Sequence, residues 1–130
     1  MRNEKTELDY KKIQRFALVW GQMYKNHANV PWSFFEDCFF VGDSMMELGF
    51  DMDSGESLIR AFPDCNYSDL GTWRRISLQI DSVKLLGDAI FSYWRYWNHW
   101  AMSPMSEDDF EWFVVGFERL AELAARSAAE

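Results

Sequence analysis

Five polar side chains in one aromatic stretch have the types and spacing that chemistry could use: Lys84, Asp88, Ser92, Arg95 and His99. At 100° per residue they share one narrow strip of a helix over Val83–Ala101, where i,i+4 steps join Lys84 to Asp88, Asp88 to Ser92 and Arg95 to His99. A serine, an aspartate and a histidine on one face invite the reading of a nucleophile with its acid and base. Their spacing rules out a triad, because the step from Ser92 to His99 spans about 10.5 Å of helix axis, against the roughly 3 Å over which a base activates a nucleophile. No catalytic residue is assigned, and whether the chain is an enzyme is left open. The strip reads first as a solvated or groove-lining face. A partner or ligand docking on this helix would meet Arg95, Asn98 and His99, with Trp94 or Tyr96 as rigid apolar contacts and Asp88 and Ser92 along the same face.

Other chemistries find less support. His27 and His99 are far apart in sequence, and neither belongs to an H-E-x-x-H element or a Cys/His cluster of zinc-binding spacing. Asp51-x-Asp53-x-Gly55 resembles the opening of a calcium loop, but the glycine falls one position early and Phe62 stands where the motif needs glutamate. Carboxylates such as Glu36 with Asp37, or Glu47 with Asp51 and Asp53, read as ordinary helix exteriors rather than a metal or acid-base site. The glycines occur singly, outside any phosphate-binding loop. No metal and no cofactor is therefore predicted. Basic residues interleave with aromatics only at Trp73-Arg74-Arg75 and Trp94-Arg95-Tyr96, so direct nucleic-acid binding is disfavoured.

These side chains must be positioned by helices. Ile13, Phe16, Ala17, Trp20, Met23 and Tyr24 recur at helical spacing after the pair Thr6/Asp9, which predicts a helix over about 7–26. Ser33 with Glu36 forms a capping box for a second helix that carries Phe34, Phe35, Cys38, Phe39, Met45, Met46 and Leu48 to a stop at Gly49. Gly42, in its middle, implies either a close crossing by another helix or a break. Asp53 and Glu56 cap a short helix over Ser57–Phe62, ended by Pro63. Residues 72–80 read as helix through Trp73, Ile76 and Ile80, although the alternation over 75–80 also fits a short strand. Asp81 or Ser82 caps the aromatic helix. Ser106 and Asp109 then open a last helix with the stripe Phe110, Phe113, Val114, Phe117, Leu120, Ala121 and Ala124. Gly87 and Gly116 each suit a close helix crossing. The expected fold is all-α: a compact bundle of four long helices plus one or two short ones, in a single domain over 1–130, with Val83–Ala101 near its centre.

Composition bounds the rest. The chain has 130 residues, 18% of them aromatic, and a formal net charge of −8. The charge is uneven: residues 36–69 hold nine acidic and one basic side chain, and residues 106–130 hold seven acidic and two basic. Glu36, Asp37, Asp43, Glu47, Asp51, Asp53 and Glu56, with Asp108, Asp109 and Glu111, thus make a candidate acidic surface. No apolar run approaches the roughly 20 residues needed to cross a bilayer. The polar N-terminus and two cysteines, read as a buried thiol at Cys38 and a loop thiol at Cys65, fit the cytoplasm. The expected role is a non-enzymatic protein-interaction module, an acidic accessory or inhibitor protein of a bacterium or mobile element. It would meet a basic protein partner through its carboxylates, or a second copy of the chain through its excess apolar faces. The alternative is a small-molecule-binding protein or enzyme with an interhelical pocket lined by Tyr93, Trp94, Trp97 and Trp100 and edged by Arg95 or His99.

Overall fold

Local capping signals set the element boundaries in the computed structural model, which describes residues 8–30, 38–53, 55–97 and 105–129. The helices are α1 (Tyr10–Lys25), α2 (Cys38–Glu47), α3 (Glu56–Ala61), α4 (Leu70–Ser77), α5 (Val83–Arg95) and α6 (Glu107–Ala129), with a 3-10 turn at His27–Asn29. Among the described residues there is no strand.

Asp9 is itself the N-cap of α1, accepting from the Lys12 N–H, so the helix begins at Tyr10 rather than near residue 7. The Ser33/Glu36 box lies outside the described residues. Gly49 ends α2 as expected: at φ +99 it donates to the Met46 carbonyl while Phe50 donates to Met45, the paired bonds of a Schellman motif. Asp69 caps α4 through the Thr72 N–H, so the helix begins at Leu70, two residues before the predicted start. The strand over 75–80 does not form, because Ile76 and Ile80 bury themselves on one helical side while Leu78 is 69% exposed. Ser82 caps α5, and Ser106 and Asp109 exchange hydrogen bonds at the start of α6.

The 23-residue α6 is the post against which α1, α4 and α5 pack. α1 runs antiparallel along it: Phe16 meets Phe117, Tyr24 stacks on Phe113 at 4.6 Å, and the His27 ring lies 3.9 Å from Phe110. His27 also joins the Tyr24 carbonyl to the Glu107 carboxylate. On its other side α6 stacks Trp112 between Trp73 of α4, at 4.1 Å, and Tyr93 of α5, at 4.0 Å. Burial of such rings dominates core energetics, and each well-placed pair adds about 0.5–1.5 kcal/mol beyond area. Arg119, only 9% exposed, closes the C-terminal end of α4 by donating to the carbonyls of Ser77, Leu78 and Ile80. A guanidinium there satisfies carbonyls that have no partner within the helix.

α5 lies between α6 and the pair α2 and α3, and every residue from Leu86 to Trp94 is buried. α2 continues through Gly42, where Trp94 packs so closely that a Cβ would stand 2.8 Å from its ring. Gly87 differs from its expected role. What covers it is not a crossing helix but the ring of Phe50, in the segment after α2, and a Cβ would overlap that ring. Gly87→Ala should therefore destabilise the protein by about 1–3 kcal/mol through overpacking. Gly71→Ala, in exposed helix, should stabilise it by about 0.4–1 kcal/mol. Urea unfolding of both variants checks the opposite signs.

Candidate functional site

The polar strip of α5 is not solvated along its first half. Asp88 and Ser92 are each 7% exposed, covered by the extended segment Phe50–Asp53. Asp88 Oδ1 accepts from the Asp51 N–H at 2.8 Å, and Ser92 Oγ accepts from the Asp53 N–H at 3.0 Å. Lys84 Nζ reaches both Asp51, at 2.7 Å, and Asp88, at 2.9 Å. The i,i+4 spacing visible in the sequence thus serves as a bracket that ties a strap of backbone to the helix. The backbone donors of the strap explain why Asp88 and Ser92 can be buried: buried polar groups need partners.

The charges follow from these contacts. Burial pulls the Lys84 ammonium down, but hydrogen bonds to Asp51 and Asp88 outweigh it and hold the group above its ordinary 10.5. Burial also pushes the Asp88 carboxyl above 3.8, with the Asp51 charge adding to it and the bonds from Asp51 N–H and Lys84 opposing it. The two shifts pull the ion pair in different senses. The 2.7–3.0 Å contacts of one ammonium with two carboxylates decide for a charged lysine at neutral pH. Asp53 is the opposite case to Asp88: burial raises it, yet bonds from Ser57, Gly55 and Ser92 leave it below 3.8. The predicted Asp53/Glu56 capping box does not form: the N-cap of α3 is Gly55, at φ +79, and Asp53, two residues earlier, accepts from the Gly55 and Ser57 N–H groups.

Beyond the bracket the chain opens into a cleft of about 720 Å³. Its floor is Tyr93, and its walls are Met52 from the strap, Cys65, Asn66, Tyr67 and Ser68 from the loop before α4, and Tyr96 and Trp97 at the end of α5. Arg95 and Asp109 supply opposite charges. The loop is held by the Trp112 indole, whose Nε1–H donates to the Tyr67 carbonyl at 2.8 Å. At Tyr96 and Trp97 the helix widens into a π-turn, a distortion frequent at functional sites. Tyr93 directs its hydroxyl toward Asp109 Oδ1 at 3.4 Å. Burial pushes that phenol up to about 12, with Asp109 and Tyr96 adding and the approaching Trp97 indole opposing. The Trp97 N–H is nevertheless buried without a hydrogen-bond acceptor among the described residues. Tyr67 is also raised, by burial first and then by the charges of Asp53 and Cys65.

Of the residues singled out by sequence, the cleft gathers Ser92, Tyr93, Arg95, Tyr96, Trp97 and Asp109. Trp94, 2% exposed, belongs to the core instead. Asp88 belongs to the bracket, and Asn98, His99 and Trp100 lie outside the described residues. The acidic surface is partly consumed by ion pairs: Asp51 binds Lys84 and Glu111 binds Arg74. Of the neighbouring acids, Glu118 pairs with Lys25 and Glu122 with Arg119 and Arg126, while Glu107 is hydrogen-bonded to the His27 ring. Asp43, Glu47, Glu56 and Asp108 remain exposed, whereas Glu36 and Asp37 are outside the described residues. No group of three His, Cys, Asp or Glu that could hold a metal is gathered among the described residues, and no described helix is long and apolar enough to cross a membrane. Cys65 carries a free thiol. Sequence reasoning missed Tyr67, Asn66 and Met52; the one available signal was a tyrosine set in the polar loop 64–69. No family model, curated protein or solved structure matches the chain.

The Asp53 carboxylate gives a test of how the strap leads into α3. Its folded-state pKa is depressed, so its contribution is present above the unfolded value of about 3.9 and is lost as pH falls through the lower folded value. Asp53→Ala should cost about 1–3 kcal/mol at pH 7, because the Gly55 and Ser57 N–H groups lose their carboxylate acceptor. Its deficit relative to wild type should shrink below pH 3.8; urea unfolding at pH 7 and near pH 3 measures both.

Proposed function

We propose that the protein binds a small molecule in the cleft at the C-terminal end of α5. One observation carries this reading: a concavity of about 720 Å³ with aromatic walls and a few converging polar groups, within the roughly 300–1,000 Å³ typical of ligand pockets. Its supports are rigid. Tyr93 is stacked on Trp112, the Tyr67 loop is pinned by an indole hydrogen bond, and the strap is bracketed to α5. Such pre-organisation lowers the ordering cost of binding. The groups suit recognition rather than turnover, since Ser92 Oγ hydrogen-bonds to the carboxylate of Asp53 and no histidine among the described residues lines the cleft.

A second reading, an acidic surface for a basic protein partner, is supported by exposed carboxylates beside exposed apolar side chains. Asp43 and Glu47 flank Met46 on α2, and Glu56 precedes Ile59 on α3 by one turn, with Met46 57% and Ile59 47% exposed. Among the described residues no ion pair engages these three acids. Of the other exposed large apolar residues, Leu18 and Val19 are neighbours on α1, while Leu78 and Tyr96 follow α4 and α5 singly. Association with a captured partner that responds neither to salt nor to joint neutralisation of Asp43, Glu47 and Glu56 removes this second reading.

The cleft reading is tested by titrating indole, quinoline and benzamide into the labelled protein and following the Trp97 indole signal by NMR. At least one of these planar probes should shift it saturably, and Tyr96→Ala should weaken that binding about tenfold with an unchanged unfolding midpoint. No shift at Trp97 with any of the three overturns the reading.

A further inference from the structure

We propose that the ligand is a zwitterion, a small molecule carrying an organic ammonium group, quaternary or protonated, together with an anionic group. The inference rests on the cleft being a ligand site and concerns the chemistry that fits it. Four aromatic rings border the opening at several angles: Trp97 stands at 80° to Tyr93 and 83° to Tyr96, and Tyr67 lies at 66° to Tyr93. Ring faces set at right angles attract a cation through their quadrupoles, with indole the strongest. One face of Tyr93 is taken by Trp112, and Tyr96 lies nearly parallel to Tyr93, at 19° and 6.2 Å; Tyr67, Tyr96 and Trp97 line the cleft with it.

The charges sort the ligand further. Asp109 is half-buried, and its two oxygens are used unequally. Oδ2 accepts from the Ser106 N–H at 2.8 Å and the Ser106 hydroxyl at 2.9 Å, whereas among the described residues Oδ1 has only the long 3.4 Å contact from Tyr93. A carboxylate oxygen accepts more than one bond, so Oδ1 retains capacity for a cationic donor or for close electrostatic contact. Arg95 is exposed on the same cleft, and no ion pair engages it among the described residues. A purely cationic ligand would leave Arg95 unanswered and be repelled by it. A purely anionic one would meet Asp109 and the negative faces of the rings. A molecule with both charges satisfies the cage and carboxylate with its ammonium, and the guanidinium with its anion.

Calorimetric titration of the full chain with glycine betaine, tetramethylammonium chloride and sodium acetate at matched ionic strength tests this. Glycine betaine should bind at least about tenfold more tightly than tetramethylammonium, and acetate should not bind measurably. Tyr96→Phe should hold betaine affinity within about twofold, whereas Tyr96→Leu should weaken it about five- to tenfold. Tyr96 is 49% exposed, so neither change threatens the fold. Arg95→Gln should bring betaine down to the level of tetramethylammonium. Acetate binding as tightly as betaine, or Tyr96→Leu binding like Tyr96→Phe, overturns the zwitterion. If the planar probes shift the Trp97 signal while neither betaine nor tetramethylammonium binds, the cleft stands and the zwitterion falls. If nothing binds, both fall.

Discussion

The stack of Trp73, Trp112 and Tyr93 is the interaction on which the rest of this molecule depends. Trp112 lies at 11° to Trp73 and 29° to Tyr93, so three helices, α4, α6 and α5, are registered by one column of rings. Rings alone would leave two buried indole N–H groups, each costing about 1–3 kcal/mol if unpaired. Both are satisfied, Trp73 on the Trp112 carbonyl at 2.9 Å and Trp112 on the Tyr67 carbonyl at 2.8 Å. The second bond reaches out of the core and fixes a loop. Core packing and cleft geometry are therefore one arrangement, because the ring that floors the cleft is the end of the stack and the loop that walls it hangs from the middle ring.

The bracket on α5 complements the stack from the opposite side. Lys84, Asp88 and Ser92 would be ordinary surface residues if the strap were removed, and the strap would have unpaired N–H groups without them. The ion pair itself is a weak source of stability, since desolvating two charges offsets most of their attraction. Its larger effect is positional: it sets where Phe50 lands on Gly87 and where Met52 enters the cleft. A side chain at Gly87 would disturb the same register without touching any charge.

Much of this was legible from residue order. Periodicity identified the helices that carry the core, and short-range capping chemistry located Ser106 with Asp109 and Gly49 and narrowed the α5 cap to Asp81 or Ser82, because each acts within a few residues of itself; it missed Gly55, whose left-handed backbone lets it cap α3 in place of Asp53. The strip Lys84, Asp88, Ser92 was visible as an aligned polar face, but its meaning was not. Whether an aligned polar face meets water or backbone depends on a segment more than thirty residues away, which local spacing does not encode. The same limit hid Tyr67, placed by a hydrogen bond from Trp112, 45 residues distant. It also misassigned Trp94, whose helical position is compatible with either a pocket or the core until Gly42 is seen beneath it. The acidic blocks can be counted in the sequence, but which carboxylates meet cations cannot: those of α6 are partly matched by cations from α1, α4 and α6 itself.

The picture that results is a helical scaffold whose stiffest features converge on one open concavity, with apolar ring faces on several sides and one charge of each sign. A crystal structure grown with glycine betaine and a planar aromatic probe tests it most directly. It should show the cleft open between the Tyr67 loop and the end of α5, with a probe against Tyr96 and Trp97 and within reach of Asp109. A cleft closed by its own side chains, Tyr67 and Tyr96 collapsed together and no probe bound, would contradict it.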